Sequence, residues 1–134
     1  MALTAELLGD RWTLLILREA FYGVQRYDDM RKDLNAPRSM LTDRLNKLVE
    51  SGIMIRRAYR EEGDRERNAY ALSEKGAELA LVLMAMTQWG EKHILGKEAA
   101  TIVVDKRTGQ RLEVTVVDEN GEITDIANAH LRKR

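Results

Sequence analysis

Arg38, Ser39, Thr42, Asp43, Arg44, Asn46 and Lys47 stand within one ten-residue stretch, directly after the single proline, Pro37. Their guanidinium, hydroxyl, amide and ammonium groups donate and accept hydrogen bonds. None of them forms a nucleophile–base arrangement, so the chemistry on offer is recognition of a polar surface. Arg60, Arg65 and Arg67 form a second cationic cluster, interleaved with Glu61, Glu62, Asp64 and Glu66.

Groups that make and break bonds are scarce. His93 and His130 are the only histidines, far apart and without a neighbouring ligand pattern, and read as surface groups with no metal. There is no cysteine, hence no disulfide, thiolate site or thiol nucleophile in this chain. No serine-elbow, phosphate-loop or dinucleotide glycine motif occurs. Asp28-Asp29 sits in the opening turn of a short helix, where it complements the dipole, and Glu61-Glu62 sits in a solvated turn. Met84 and Met86 read as buried core fill. These features predict neither an enzyme nor a bound cofactor.

The elements that must position the polar stretch follow from local rules. Pro37 suits a helix start and pushes Ala36 out of the α region, so an earlier helix ends by Asn35. Leu41, Leu45 and Leu48 recur at helical spacing, and Gly52 is the expected left-handed terminator. The result is a helix over 37–51, apolar on one side and hydrogen-bonding on the other. With a short helix over Asp28–Leu34 before it, the pair fits a helix-turn-helix or, equally, an ordinary helical hairpin with a solvated outer face. Upstream, Asp10 is a candidate N-cap for a helix carrying Trp12, Leu15, Ile16 and Ala20, widened by Leu14 and Leu17. Leu3, Leu7 and Leu8 predict a helical turn or two before it. The sequence opens inside an element already under way, an expectation of further residues upstream.

Downstream, Ile53–Arg60 reads as a strand, EEGDRER as a turn and Asn68–Leu72 as the returning strand. A hairpin directly after a helix-turn-helix is a wing, spanning 55–72, and this order favours the helix-turn-helix over the plain hairpin. Ser73 caps a predicted long helix from Glu74 to Leu95, apolar nearly all round at LALVLMAM and closed by Gly96. A second copy of the chain is its expected cover, the C-terminal segment the alternative. The tail predicts strands at Thr101–Asp105 and Leu112–Val117, with a third at Glu122–Thr124 after the Asn120-Gly121 turn. IANAHLRKR reads as a last helical turn or a frayed basic end. The fold class is α+β, mostly α, with a winged helix-turn-helix and dimerisation domain at 1–97 and a β-rich extension at 98–134.

The 134 residues suffice for one ordinary domain with a small appendage. With 44% hydrophobic and 33% charged residues the chain is globular, with a heavily charged surface. Lys plus Arg and Asp plus Glu are 22 each, a zero balance that counts against a nucleic-acid partner. It does not exclude one, because phosphate contact needs only a local cationic face. No signal-like opening and no run long enough for a bilayer appear, so a cytoplasmic protein without membrane contact is expected.

Taken together, LLGDRWTLLILREAFYGVQRYDDMRKDL, APRSMLTDRLNKLVESGIM, AYALSEKG and QWGEKH resemble the HxlR-type family of winged-helix bacterial transcription regulators, related in shape to MarR-type regulators. The resemblance runs from about Leu3 to His93. It implies a homodimer on a double-stranded DNA operator, with Arg38 to Lys47 in the major groove and Arg67 on the wing. Arg38 suits a guanine edge, Ser39 and Thr42 suit a base edge or phosphate, and Asn46 would read adenine or face water. Asp43 would accept from cytosine or orient Arg44 and Lys47. Two departures stand out. The cysteine sensor of many relatives is absent, and Arg65 and Glu66 replace prolines that relatives often carry in the wing. Where certain relatives place cysteines before tail glycines, Thr108-Gly109 and Asn120-Gly121 occur, so a metal ribbon is not expected. A small-molecule effector is expected at the junction of the long helix and the tail, around Trp89, Ile102 and Val104.

Overall fold

A computed structural model of the chain describes residues 1–97 and 100–132. Two compact units are distinguished, Met1–Leu83 and Met84–Arg134.

The first unit opens with α1 (Ala2–Leu8) and α2 (Arg11–Phe21). Asp10 caps α2 as expected, its carboxylate accepting from the Thr13 backbone N–H at 3.0 Å. Helix α3 (Tyr27–Leu34) ends at Asn35, which takes the left-handed conformation at φ 47°. Pro37, at φ −59° and ψ 134°, is the N-cap of α4 (Arg38–Glu50) rather than its first residue. At the far end Gly52 adopts φ +73°, and the Ile53 N–H returns to the Leu48 carbonyl at 2.9 Å. Strands β1 (Met54–Tyr59) and β2 (Arg67–Leu72) pair antiparallel, with Met54 opposite Leu72 and Tyr59 opposite Arg67. A bridge from Arg26 to Ala69, with the Tyr70 N–H donating to the Gln25 carbonyl at 2.7 Å, adds a short third edge. This is a winged helix-turn-helix, α+β and mostly helical.

Its core is built from every element. Leu41, Leu45 and Leu48 of α4, Ile16 and Leu17 of α2, Met30 of α3, and Ile53, Met54 and Tyr70 of the wing base are buried together. The apolar stripe of α4 therefore faces inward and leaves its polar side in solvent. On α2 the buried side is Thr13, Ile16, Leu17 and Glu19, so a carboxylate joins the face that apolar spacing had assigned to Leu15 and Ala20. Glu19 is held there by the Arg18 guanidinium at 2.6 Å.

The expected continuous helix from Glu74 to Leu95 is instead three pieces: α5 (Glu74–Ala77), α6 (Ala80–Gly90) and a π-helical turn at Glu91–Leu95. Ser73 explains the first break. Its hydroxyl caps Gly76 N–H at 3.0 Å and donates to the Gly52 carbonyl at 2.5 Å, while Lys75 Nζ reaches the Ser51 carbonyl at 2.7 Å. Gly76 lies so close to the Ile53 carbonyl that any β-carbon there would collide with it. A first turn pinned this firmly passes into tighter bonds, Leu79 N–H to Gly76 and Val82 N–H to Leu79, before the helix resumes. At the other end the Gly96 N–H spans five residues to the Glu91 carbonyl, and Gly96 is left-handed at φ +61°.

The burial expected of Met84 and Met86 is not found within the chain. No residue of α6 is buried, and Met86 is 50% exposed. Tail strands are also shorter than expected. Thr101–Asp105 contributes one bridge, Val104 with Arg111, and Leu112–Val117 contributes only β3 (Val116–Val117), paired with β4 (Ile123–Thr124). Within Leu112–Val117, the Gln88 side-chain amide accepts from Val114 N–H at 2.6 Å and donates to the Val114 carbonyl at 3.1 Å, occupying groups that a longer β3 would have used. Asp105 and Asp118 each gather two backbone N–H groups into the turns that end at Gly109 and Gly121. The last helical turn is a 3-10 turn at Ile126–Asn128, while Lys133 and Arg134 of the basic end lie outside the described residues. Among the described residues no helix is long and apolar enough to cross a membrane, and no cluster of three or more His, Asp or Glu could hold a metal ion.

Candidate nucleic-acid interface

With its leucine stripe inside, α4 presents Arg38, Ser39, Thr42 and Asp43 to solvent over its first two turns, with Asn46 half-buried one turn further. The first turn is supported from α3. The Tyr27 hydroxyl lies 2.9 Å from the Arg38 carbonyl and 2.9 Å from the Thr42 hydroxyl, and the Arg38 guanidinium sits 5.8 Å from the Tyr27 ring centroid. No ion pair to Arg38 is found among the described residues.

The other cations of α4 are engaged. Arg44 Nε bonds the Asp10 carboxylate at 2.7 Å, tying the recognition-type helix to the cap of α2, and a second guanidinium nitrogen meets Asp43. Lys47 reaches the same Asp43 at 3.2 Å. Asp43 thus pairs with both Arg44 and Lys47. The Arg44 hydrogen bond holds the Asp10 carboxyl at about 2, against an ordinary 3.8, outweighing the opposing effect of burial. Asp43 is also held below the usual carboxylate range, first by Lys47 and then by Arg44.

On the wing, Arg60 and Arg65 are exposed in the turn between the strands. Arg67 behaves differently: half-buried at the start of β2, it pairs with Asp28 of α3 at 3.2 Å and Asp64 at 2.9 Å. Its Nε is buried without a hydrogen-bond partner. Arg26 completes the link between α3 and the wing, meeting Glu61 at 2.7 Å and stacking 5.0 Å from the Tyr59 ring centroid. Two of the four wing acids are thus partners of arginines.

Three contributors escaped the sequence reading: Tyr27, Asp28 as an arginine partner, and Asp10 as the anchor of Arg44. Their contacts join residues 15, 39 and 34 positions apart.

In the second unit Trp89, Ile102 and Val104 are all exposed, and the Trp89 ring lies 5.3 Å from the His93 ring. None of the three lines the open groove of about 760 Å³ behind the wing, whose walls include Tyr22, Arg26, Lys32, Arg57 and Tyr59.

Residues 7–98 match the family described as HxlR-like helix-turn-helix. An uncharacterized HTH-type transcriptional regulator of Mycobacterium tuberculosis is 42% identical over 103 residues, covering 77% of this chain and 64% of the relative. This chain thus spans less than two thirds of that relative's length. Among solved structures, PA1607, described as a candidate transcription factor, is 30% identical with a TM-score of 0.78, covering 97% of this chain and 91% of its own. A protein from Enterococcus faecalis described as a candidate transcriptional regulator of the MarR family is 26% identical with a TM-score of 0.60, covering 71% of this chain and 86% of its own. The PA1607 match therefore takes in the tail, whereas the MarR-family match leaves over a quarter of the chain uncovered. With its winged fold and a match over most of its length, the chain belongs to the HxlR-like helix-turn-helix family.

Proposed function

We propose that this chain is a sequence-specific DNA-binding transcription regulator of the cytoplasm that acts as a homodimer. The observation that carries this reading is the exposed polar face of α4, backed by the leucine core and supported at its first turn by Tyr27. A major groove about 12 Å wide admits such a helix. Arg38, Ser39, Thr42 and Asn46 then face base edges. Arg44 and Lys47 exchange Asp43 for phosphate, and Arg60, Arg65 and Arg67 follow the backbone or minor groove along the wing. The uncovered apolar helix α6 supplies the dimer contact, with 1–97 as the binding and dimerising domain and 98–134 as an extension. Two α4 helices must then meet half-sites about 34–36 Å apart. Trp89, Ile102 and Val104 are apolar and exposed, and suit an effector held between extension and dimer helix. With no cysteine in this chain the thiol route is closed, and regulation runs through a non-covalent ligand or through protein abundance.

A second reading has a specific observation behind it. Arg67 and Arg44 already hold carboxylates, and net charge is zero. A winged-helix module that binds protein or ligand without DNA would look like this. Selection from random duplexes followed by mobility shift across a salt series separates the two. A selected palindrome bound in a salt-dependent manner supports the regulator. In that assay Arg67→Ala weakens all sequences alike and flattens the salt dependence by about one unit. Failure to select any sequence favours the second reading, and a ligand-induced melting shift then becomes the measurement of choice.

A further inference from the structure

We infer that Tyr27 sets the hydrogen-bonding polarity of Thr42 and thereby one base preference of the recognition helix. The inference rests on the DNA-binding reading above. A tyrosine hydroxyl carries one proton, and a backbone carbonyl can only accept. At 2.9 Å from the Arg38 carbonyl, Tyr27 donates its proton there. Its remaining contact, 2.9 Å to Thr42 Oγ1, must then be donated by threonine. The Thr42 proton is consumed within the protein, and exposed Oγ1 keeps only lone pairs for a partner.

An acceptor-only threonine is a selective reader. It can receive a hydrogen bond from the amino groups of adenine N6 or cytosine N4. It cannot donate to guanine O6, thymine O4 or a phosphate oxygen. Without Tyr27 the hydroxyl would rotate and serve as donor or acceptor, and most bases would satisfy it. Tyr27 is therefore a positioning residue: it touches no base, yet fixes what Thr42 can recognise. The aromatic ring under Arg38 is a separate contribution that phenylalanine would retain.

Operator binding is measured for wild type, Tyr27→Phe, Thr42→Val and the double variant against every single-base change in a selected site. In the wild type one position per half-site prefers adenine or cytosine on the contacted strand by about three- to tenfold, the worth of one hydrogen bond. Thr42→Val abolishes that preference and identifies the position. Tyr27→Phe flattens it while the Arg38-dependent position keeps its preference, and adds nothing further in the Thr42→Val background. Unchanged base preference in Tyr27→Phe overturns the inference. So does equal strengthening on all sequences, which would mean a freed hydroxyl donating to phosphate, or a thymine preference that survives Tyr27→Phe, which would mean methyl contact. If wild type selects no site, the DNA-binding reading itself fails, and the inference falls with it.

Discussion

In Met1–Leu83 one set of aliphatic side chains forms a core in which Ile16, Leu41 and Leu45 expose no surface at all, while Leu3 and Leu81 lie outside it. In Met84–Arg134 Trp89, Ile94, Ile123 and Ile126 each expose more than half of theirs. The first unit is organised by burial, with ion pairs fastening its periphery. The second is organised by hydrogen bonds, through Gln88 on Val114 and the two aspartate turns, and leaves its apolar surface outside. The contrast teaches where each unit's stability resides. One carries its own core, whereas the other leaves its larger apolar side chains in solvent.

The sharpest break comes from removing core in the first unit. Leu41→Ala should cost about 2–5 kcal/mol, read as a lowered denaturation midpoint together with loss of the α4 surface. A cost below about 1 kcal/mol would mean that α4 is not held by its leucine stripe. The matching test of the second unit is Met86→Glu. On an isolated chain this exposed site tolerates a charge, but across an apolar dimer contact the substitution should weaken association by about 2–4 kcal/mol. Sedimentation at micromolar concentration reads it, and a wild-type monomer would remove the dimer from the account. Leu83 is a poorer probe, since it packs partly against the first unit's core and its loss would confuse folding with association.

Smaller effects fall on the polar periphery. Arg38→Ala should cost about 1–3 kcal/mol on the selected operator and relax one base position, with melting unchanged. A loss that is uniform over sequences would make Arg38 a phosphate contact. The Asp10–Arg44 pair gives a pH signature. Because Arg44 depresses the folded carboxyl to about 2, the stabilisation is complete above about pH 4 and is lost as pH falls toward 2. Asp10 is about a third exposed, so screening reduces the expected effect to about 1 kcal/mol. Melting of wild type against Asp10→Asn, which retains a capping side chain, should converge over that interval. A difference that stays constant down to pH 2 would show that the pair contributes nothing through its charge.

Legibility in the sequence followed the range of the interaction. Pro37, the leucine spacing and Gly52 define α4 through contacts within a few residues, and the wing strands announce themselves by composition on either side of EEGDRER. The interruption after Ala77 was hidden because the Ser73 and Lys75 contacts that pin the first turn reach carbonyls 21 and 24 residues earlier. The tail strands were overextended because nothing in LEVTVV says that Val114 will bond a glutamine on a helix. In the interface, residue types named the exposed donors on α4. They could not name Tyr27 or Asp28, whose roles exist only once α3 and α4 cross and the wing folds back.

The arginine–carboxylate pairs along α3, α4 and the wing bear on how such a protein finds its target. On the DNA-binding reading, a cation paired with a neighbouring aspartate must exchange that partner for phosphate, so each contact is partly offset and grip on bulk DNA is reduced. The molecule leaves wrong sites quickly and spends a larger share of its time free to sample new ones. Competition from the rest of the genome, which offers about 10⁶–10⁹ alternative sites, then removes fewer copies from circulation. A regulator made this way can be kept at low copy number and still answer promptly when its operator becomes available.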